Sequence, residues 1–139
     1  MIKMKNLYYQ IWADAIVYEK TNFGHMRNWK VYTLLPISFF QGINLWTIIM
    51  GLITFNVKVD AFFDFDVFPG TMFDKFLSVF ITLFLPFLIL NYLLIFRNKQ
   101  YEKIITKYEY KKGRFYILYL IISGCIILLP LIIAVSFFQ

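Results

Sequence analysis

The chain has 139 residues, of which 60% are hydrophobic and 22% aromatic, while only 16% are charged. This balance is far more apolar than that of soluble domains and excludes an ordinary soluble globular protein. The net charge of +6 would suit a nucleic-acid-binding protein. However, the basic residues lie in the segments that flank apolar windows, so no nucleic-acid partner is expected.

The first predicted element is an amphipathic helix at residues 6–20. Leu7, Ile11 and Ile16 share one half of a helix that turns about 100° per residue, whereas Asp14 falls on the other half. Basic residues precede this segment, and its aromatic side chains suit the depth of lipid headgroups. We therefore expect an interfacial helix that lies in the plane of the membrane surface.

Residues 34–55 are the first of three windows that contain no charged residue and no histidine; the others are 76–96 and 115–138. At about 1.5 Å per residue, a helix over each window is long enough to cross a hydrocarbon core about 30 Å thick. Only a helix lets a single segment satisfy its own backbone groups in lipid. The sequence therefore predicts three transmembrane helices.

A polar row runs along the first predicted span, beside Gly42 and Gly51, which would permit close approach of another helix. The candidate contact residues are Ser38, Gln41, Gly42, Asn44 and Thr47 of the first span and Thr82 and Asn91 of the second. The row could pack inside the chain, with Ser123 as a further partner, or bind another protein or another copy, or line a pore. Internal packing is favoured, and the pore is the least favoured alternative, because residues spaced by three drift by about 60° per step around a helix.

The predicted outer loop, residues 56–71, contains an acidic cluster formed by Asp60, Asp64 and Asp66. Asp64 and Asp66 make a D-x-D pair, a spacing that some glycosyltransferases use to hold a divalent metal ion, and oxygen ligands suit such ions. Those enzymes also need a nucleotide-binding domain, for which this chain has no room. An acidic loop is therefore expected, with metal binding as a minor alternative, and no cofactor is predicted.

The second span is predicted at 72–96, beginning ahead of its uncharged window. Thr71 and Asp74 form a capping box directly after the turn signal Pro69–Gly70. Pro86 in the interior of this span removes a backbone donor and predicts a kink.

A second amphipathic helix is predicted at 99–112, because Tyr101, Ile104, Ile105 and Tyr108 follow the spacing of one helix face. If it continued the second span outward, it would carry the chain about 20 Å away with too few residues to return. It is therefore expected to lie flat, in the interface or against residues 6–20. The side chains expected to contact lipid headgroups are Lys99, Lys103, Lys107, Lys111, Lys112 and Arg114.

The charges alternate along the chain. Residues 1–33 hold five basic and two acidic residues, residues 56–75 hold two and four, residues 97–114 hold seven and two, and no charged side chain follows Arg114. By the positive-inside rule, the N-terminus and the 97–114 segment are cytoplasmic, while the outer loop and the C-terminus, after the third span at 115–138, lie outside. The abundance of Ile, Lys, Phe, Tyr and Asn suggests an AT-rich bacterial genome, and the expected location is the bacterial inner membrane.

These observations predict an all-α, three-span membrane domain that is not an enzyme. The spans contain no ionisable side chain of the kind that ion-coupled transporters use, and the single histidine and single cysteine form no nucleophile–base pattern. The favoured function is that of an integral membrane subunit or adaptor that binds or stabilises another membrane protein. The alternatives are a homo-oligomeric pore-forming effector of the toxin or defence type, and an accessory of lipid-linked or envelope polysaccharide metabolism.

Overall fold

The computed structural model describes residues 2–24, 27–54 and 69–137, and within these ranges it is helical and contains no strand. The α-helices are α1 (Ile2–Phe23), α2 (Trp29–Thr54), α3 (Met72–Val79), α4 (Leu85–Asn91), α5 (Gln100–Lys107) and α6 (Arg114–Phe137). A first π-helical turn, Phe80–Phe84, joins α3 to α4, and a second, Tyr92–Phe96, follows α4. The all-helical class predicted from the sequence is confirmed for this part of the chain.

Two helical stretches, Trp29–Ile53 and Met72–Lys107, are long and apolar enough to cross a membrane. The apolar stretch Arg114–Pro130 in α6 is shorter. Two of the three predicted spans therefore have the required length and composition among the residues described, and the third span stays a prediction.

The helix that carries the second predicted span changes its hydrogen bonding near Pro86. The Leu85 N–H donates to the carbonyl of Phe80, five residues back, which closes the first π turn. Because Pro86 has no N–H and its ring blocks a regular α-helical bond, the wider π turn accommodates it. The chain then leaves helical geometry at Asn98 and Lys99, which both have φ of 54°. Consequently α5 is a separate helix, consistent with the loop-length argument.

Helix bounds differ from the sequence prediction at three places. The first helix runs from Ile2 to Phe23 instead of 6–20. The helix of the first span begins at Trp29 instead of 34, because the carbonyl of Asn28 accepts bonds from Val31 and Tyr32 and so starts the helix earlier. The loop helix ends at Lys107 instead of 112, because the next residues turn back toward α1.

The main buried core lies at one end of the bundle, where α1 packs against α2, α5 and α6. We call α1, α5 and residues 108–113 the headpiece. The core between the headpiece and the neighbouring ends of the other helices is rich in aromatic and branched side chains, namely Trp12, Ile16, Ile37, Ile95, Phe96, Tyr101, Ile104 and Tyr116. Residues 12–16 are all buried, on both halves of α1. The middle of α1 is thus enclosed by other helices and does not lie on a membrane surface with a water-exposed polar side.

The outer faces of α2 and α6 carry large apolar side chains that the chain itself does not cover. Phe39, Ile48, Ile121 and Leu128 are each more than half exposed. Such surfaces are unfavourable in water over a wide area but suit contact with lipid.

Candidate functional site

Asn91 joins three helices through one side chain. It is the last residue of α4, stands directly before the second π turn and is 1% exposed. Its Oδ1 accepts a hydrogen bond from the Tyr8 hydroxyl of α1 at 2.7 Å. Its Nδ2 donates to Ser38 Oγ at 2.9 Å and to Gln41 Oε1 at 2.7 Å, both on α2. A buried amide is costly unless its polar atoms are bonded, so this network fixes α1, α2 and α4 relative to one another.

Tyr8 is held as a neutral donor in this network. Burial of the phenol raises the pKa of Tyr8 to about 12, because the charged phenolate is disfavoured away from water. A phenol with the ordinary pKa of 10 is already protonated at neutral pH, and the raised pKa extends into alkaline solution the range in which Tyr8 can donate to Asn91.

The other polar residues of the row on α2, Asn44 and Thr47, form hydrogen bonds with other partners. Asn44 Nδ2 donates to Ser123 Oγ of α6 at 3.0 Å, whereas Thr47 Oγ1 donates to the carbonyl of Ile43 in its own helix. Thr82 Oγ1 is buried and has no hydrogen-bond partner in the part of the chain that the structure describes. The row therefore faces α4 at its first residues and α6 further along, as its drift around the helix requires.

Gly42 is in close contact with the backbone of the first π turn. A Cβ atom placed on Gly42 would lie 3.1 Å from the carbonyl oxygen of Leu83 and 3.5 Å from the Cα of Phe84. An apolar groove of about 300 Å³ opens beside this contact, lined among others by Phe39, Ile43, Trp46 and Phe80. For Gly51, which was predicted to allow a similar approach, no atom of the described residues lies within 4 Å of the same test position.

Asp14 caps a helix that is distant in sequence. Its carboxylate accepts four backbone N–H bonds: Oδ1 from Lys111 at 2.8 Å and Gly113 at 3.0 Å, and Oδ2 from Phe115 at 2.9 Å and Tyr116 at 3.3 Å. The side chain is 0% exposed. The first N–H groups of a helix have no intrahelical partner and carry partial positive charge. At the start of α6 the buried carboxylate accepts hydrogen bonds from these groups and balances their charge.

Gly113 completes the cap. Its φ is +77°, and a Cβ there would lie 2.5 Å from Cδ2 of the Tyr18 ring. Only glycine fits this left-handed conformation without strain, and only glycine leaves room for Tyr18.

Asp14 was not among the residues predicted to form a site, although the sequence contains a feature that points to it. No Ser, Thr, Asp or Asn precedes α6 at Lys112–Gly113, so the helix lacks a local N-cap residue. A helix without a local cap needs acceptors from elsewhere, and Asp14 is one of only two acidic residues before the first span.

Glu19 is a second buried acid in the headpiece, with 8% of its surface exposed. Burial raises its pKa above the ordinary value of 4.5, and a hydrogen bond from Tyr116 partly opposes this shift. Glu19 lines a cavity of about 360 Å³ together with Phe23, Tyr32 and Pro36.

The basic residues predicted to contact lipid are spread over the outside of the headpiece. Those with exposed side chains are Lys99, Lys103, Lys107, Lys112 and Arg114, while Lys111 is half-buried and forms an ion pair with Glu109. Lys103 and Lys107 also line a pocket of about 340 Å³ between α1 and α5.

The acidic cluster Asp60, Asp64 and Asp66 lies outside the described residues. Within the ranges described, no three His, Cys, Asp or Glu side chains come together as a possible metal site.

Comparison with known proteins adds no family. No protein-family model matches this chain, and no curated protein or solved structure is significantly similar to it.

Proposed function

We propose that the chain is a non-catalytic integral membrane adaptor that binds or stabilises another membrane protein. In this proposal it spans a bacterial inner membrane three times. The headpiece and the N-terminus are on the cytoplasmic side, and the C-terminus is outside. The distribution of basic residues supports this orientation.

One observation carries the proposal: the polar side chains of α2 are largely used within the chain. Ser38 and Gln41 bond to Asn91, and Asn44 bonds to Ser123. A pore-lining row would instead direct these groups toward water. What remains for a second membrane protein is the apolar groove beside Gly42, where a neighbouring helix could pack closely.

Co-purification with a groove variant tests the proposal. The tagged chain, extracted in a mild detergent, is expected to bring down one stoichiometric membrane protein, identified by mass spectrometry. Ile43→Trp fills the groove and should remove that protein. Ile48→Trp, on an outer face of α2 that is 58% exposed, should retain it. Isolation of the bare chain, or equal behaviour of the two variants, would contradict an adaptor that acts through the groove.

A membrane-potential dye distinguishes the pore alternative. Induced expression of an adaptor should leave the potential unchanged. Depolarisation that is lost in the double variant Gln41→Leu, Asn44→Leu would instead support a pore lined by the polar row.

A further inference from the structure

We infer that the pocket between α1 and α5 binds a phosphate-bearing anion, with the headgroup of an anionic phospholipid as its source. This inference goes beyond the adaptor function. The pocket lies in the headpiece and not in the groove, while the choice of a lipid as the source rests on the proposed orientation.

The positive side of the pocket is formed by two lysines of α5. Lys103 and Lys107 are one helical turn apart, so their side chains lie on the same face of the helix. Both side chains are exposed. Among the described residues, no carboxylate forms an ion pair with either pocket lysine; the nearby Glu109 pairs with Lys111. Lys107 Nζ also lies 5.6 Å from the centroid of the Tyr108 ring, which keeps it near the pocket.

The remaining walls supply neutral hydrogen-bond donors and a fixed shape. Asn6 and Tyr9 come from α1, and Gln100, Tyr108 and the apolar Ile104 complete the lining on the α5 side. The Tyr9 and Tyr108 rings stack with centroids 6.2 Å apart, and the Tyr108 hydroxyl donates to Asn6 Oδ1 at 3.2 Å. That bond occupies the amide oxygen of Asn6 and leaves its amide nitrogen as a donor.

This set of groups fits a phosphate better than other ligands. Phosphate oxygens accept several bonds at once, and lysine binds them as a mobile point charge. The lining contains no carboxylate that would repel an anion. The volume, about 340 Å³, is sufficient for a single headgroup but not for a nucleic-acid strand. In the proposed orientation the pocket lies on the cytoplasmic side, where anionic lipids attract basic residues.

Thermal unfolding of the full chain in a neutral detergent tests the site. The probes are dihexanoyl phosphatidylglycerol, dihexanoyl phosphatidylcholine and inorganic phosphate. A ligand that binds the folded state raises Tm in a saturable way. We expect phosphatidylglycerol to do so and phosphatidylcholine not to do so. An equal shift with inorganic phosphate would identify a free phosphate as the source and still support the site, whereas equal shifts with both lipids would overturn it.

Matched charge variants distinguish binding in the pocket from general electrostatic attraction of an anion to the basic surface. Lys103→Gln with Lys107→Gln should weaken binding about tenfold or more, because two charge-assisted bonds are lost. Lys112→Gln with Arg114→Gln removes the same charge from exposed positions outside the pocket and should change affinity by no more than about threefold. Gln100→Leu alters the lining without changing charge and should also weaken binding. Equal loss in both charge variants, or no effect of Gln100→Leu, would refute a defined site.

Discussion

At the scale of single residues, Asp14 is the side chain on which the headpiece depends most. It lies in the middle of α1 and accepts bonds from the segment that ends in Gly113 and from the first turn of α6. One carboxylate therefore fixes the short connection between α5 and α6 and the start of α6. The helix wheel places Asp14 on the polar half of α1, and its carboxylate does bind polar groups, namely backbone N–H groups. The acceptor role could not be read from that analysis because its partners are about 100 residues away.

Asp14→Asn is expected to destabilise the folded chain by about 2–4 kcal/mol, from loss of a helix cap and of charge-assisted bonds at a buried site. The amide presents one acceptor oxygen, and its NH₂ group would face two backbone donors that then lack a partner. The measurement is the free energy of unfolding in detergent, followed by tryptophan fluorescence, to which Trp12 of the headpiece contributes. Glu109→Gln, which alters an exposed carboxylate paired only with Lys111, should change stability by no more than about 0.5 kcal/mol. Similar losses in the two variants would show that Asp14 is not a structural cap.

At the scale of helices, local sequence patterns predicted which segments are helical. They predicted less well where each helix begins and ends and where its hydrogen bonding changes. Two of the uncharged windows fall in helices long enough to span a membrane, and the face formed by Tyr101 and Ile104 does pack against α1. The early start of α2 and the short α5 were missed, because both depend on particular hydrogen bonds and not on apolar periodicity. The π turns were missed as well, since Pro86 predicts a disturbance but not its form.

The contact between α2 and the first π turn can be tested with two glycines of the same helix. Gly42→Ala places a methyl group 3.1 Å from the Leu83 carbonyl oxygen and must push the two backbones apart. We expect a loss of about 1–3 kcal/mol, typical of overpacking. Gly51→Ala meets no atom of the described residues within 4 Å and should be neutral or slightly stabilising, because alanine favours the helix. Tm measured for both variants in one detergent gives the comparison, and a neutral Gly42→Ala would argue against this close contact.

At the scale of the whole molecule, the sequence predicted a helical membrane protein with two amphipathic helices on the cytoplasmic side. Packing of the second of these helices against residues 6–20 was one of two predicted arrangements, whereas the enclosure of the middle of α1 was not predicted. A helix wheel shows that Trp12 and Ile16 need an apolar environment and does not say whether lipid or another helix provides it. In the structure α5 and the ends of α2 and α6 provide it, so Trp12 and Ile16 are both 0% exposed. The same limit applies to the polar row on α2. The residue types indicate contacts with other helices, but only the structure shows that Ser38 contacts α4 and Asn44 contacts α6.

The number of spans determines on which side of the membrane the chain ends, and this can be measured directly. If α6 crosses the membrane, Gln139 is outside and Lys112 is cytoplasmic; if only the first two stretches cross, both are cytoplasmic. With the single native cysteine removed by Cys125→Ala, Gln139→Cys should react with a membrane-impermeant maleimide on intact cells. Lys112→Cys should react only after permeabilisation, since that residue is exposed on the headpiece, which the proposed orientation places on the cytoplasmic side. Labelling of both positions only after permeabilisation would reduce the spans to two and would place α6, with its many exposed apolar side chains, on the cytoplasmic side.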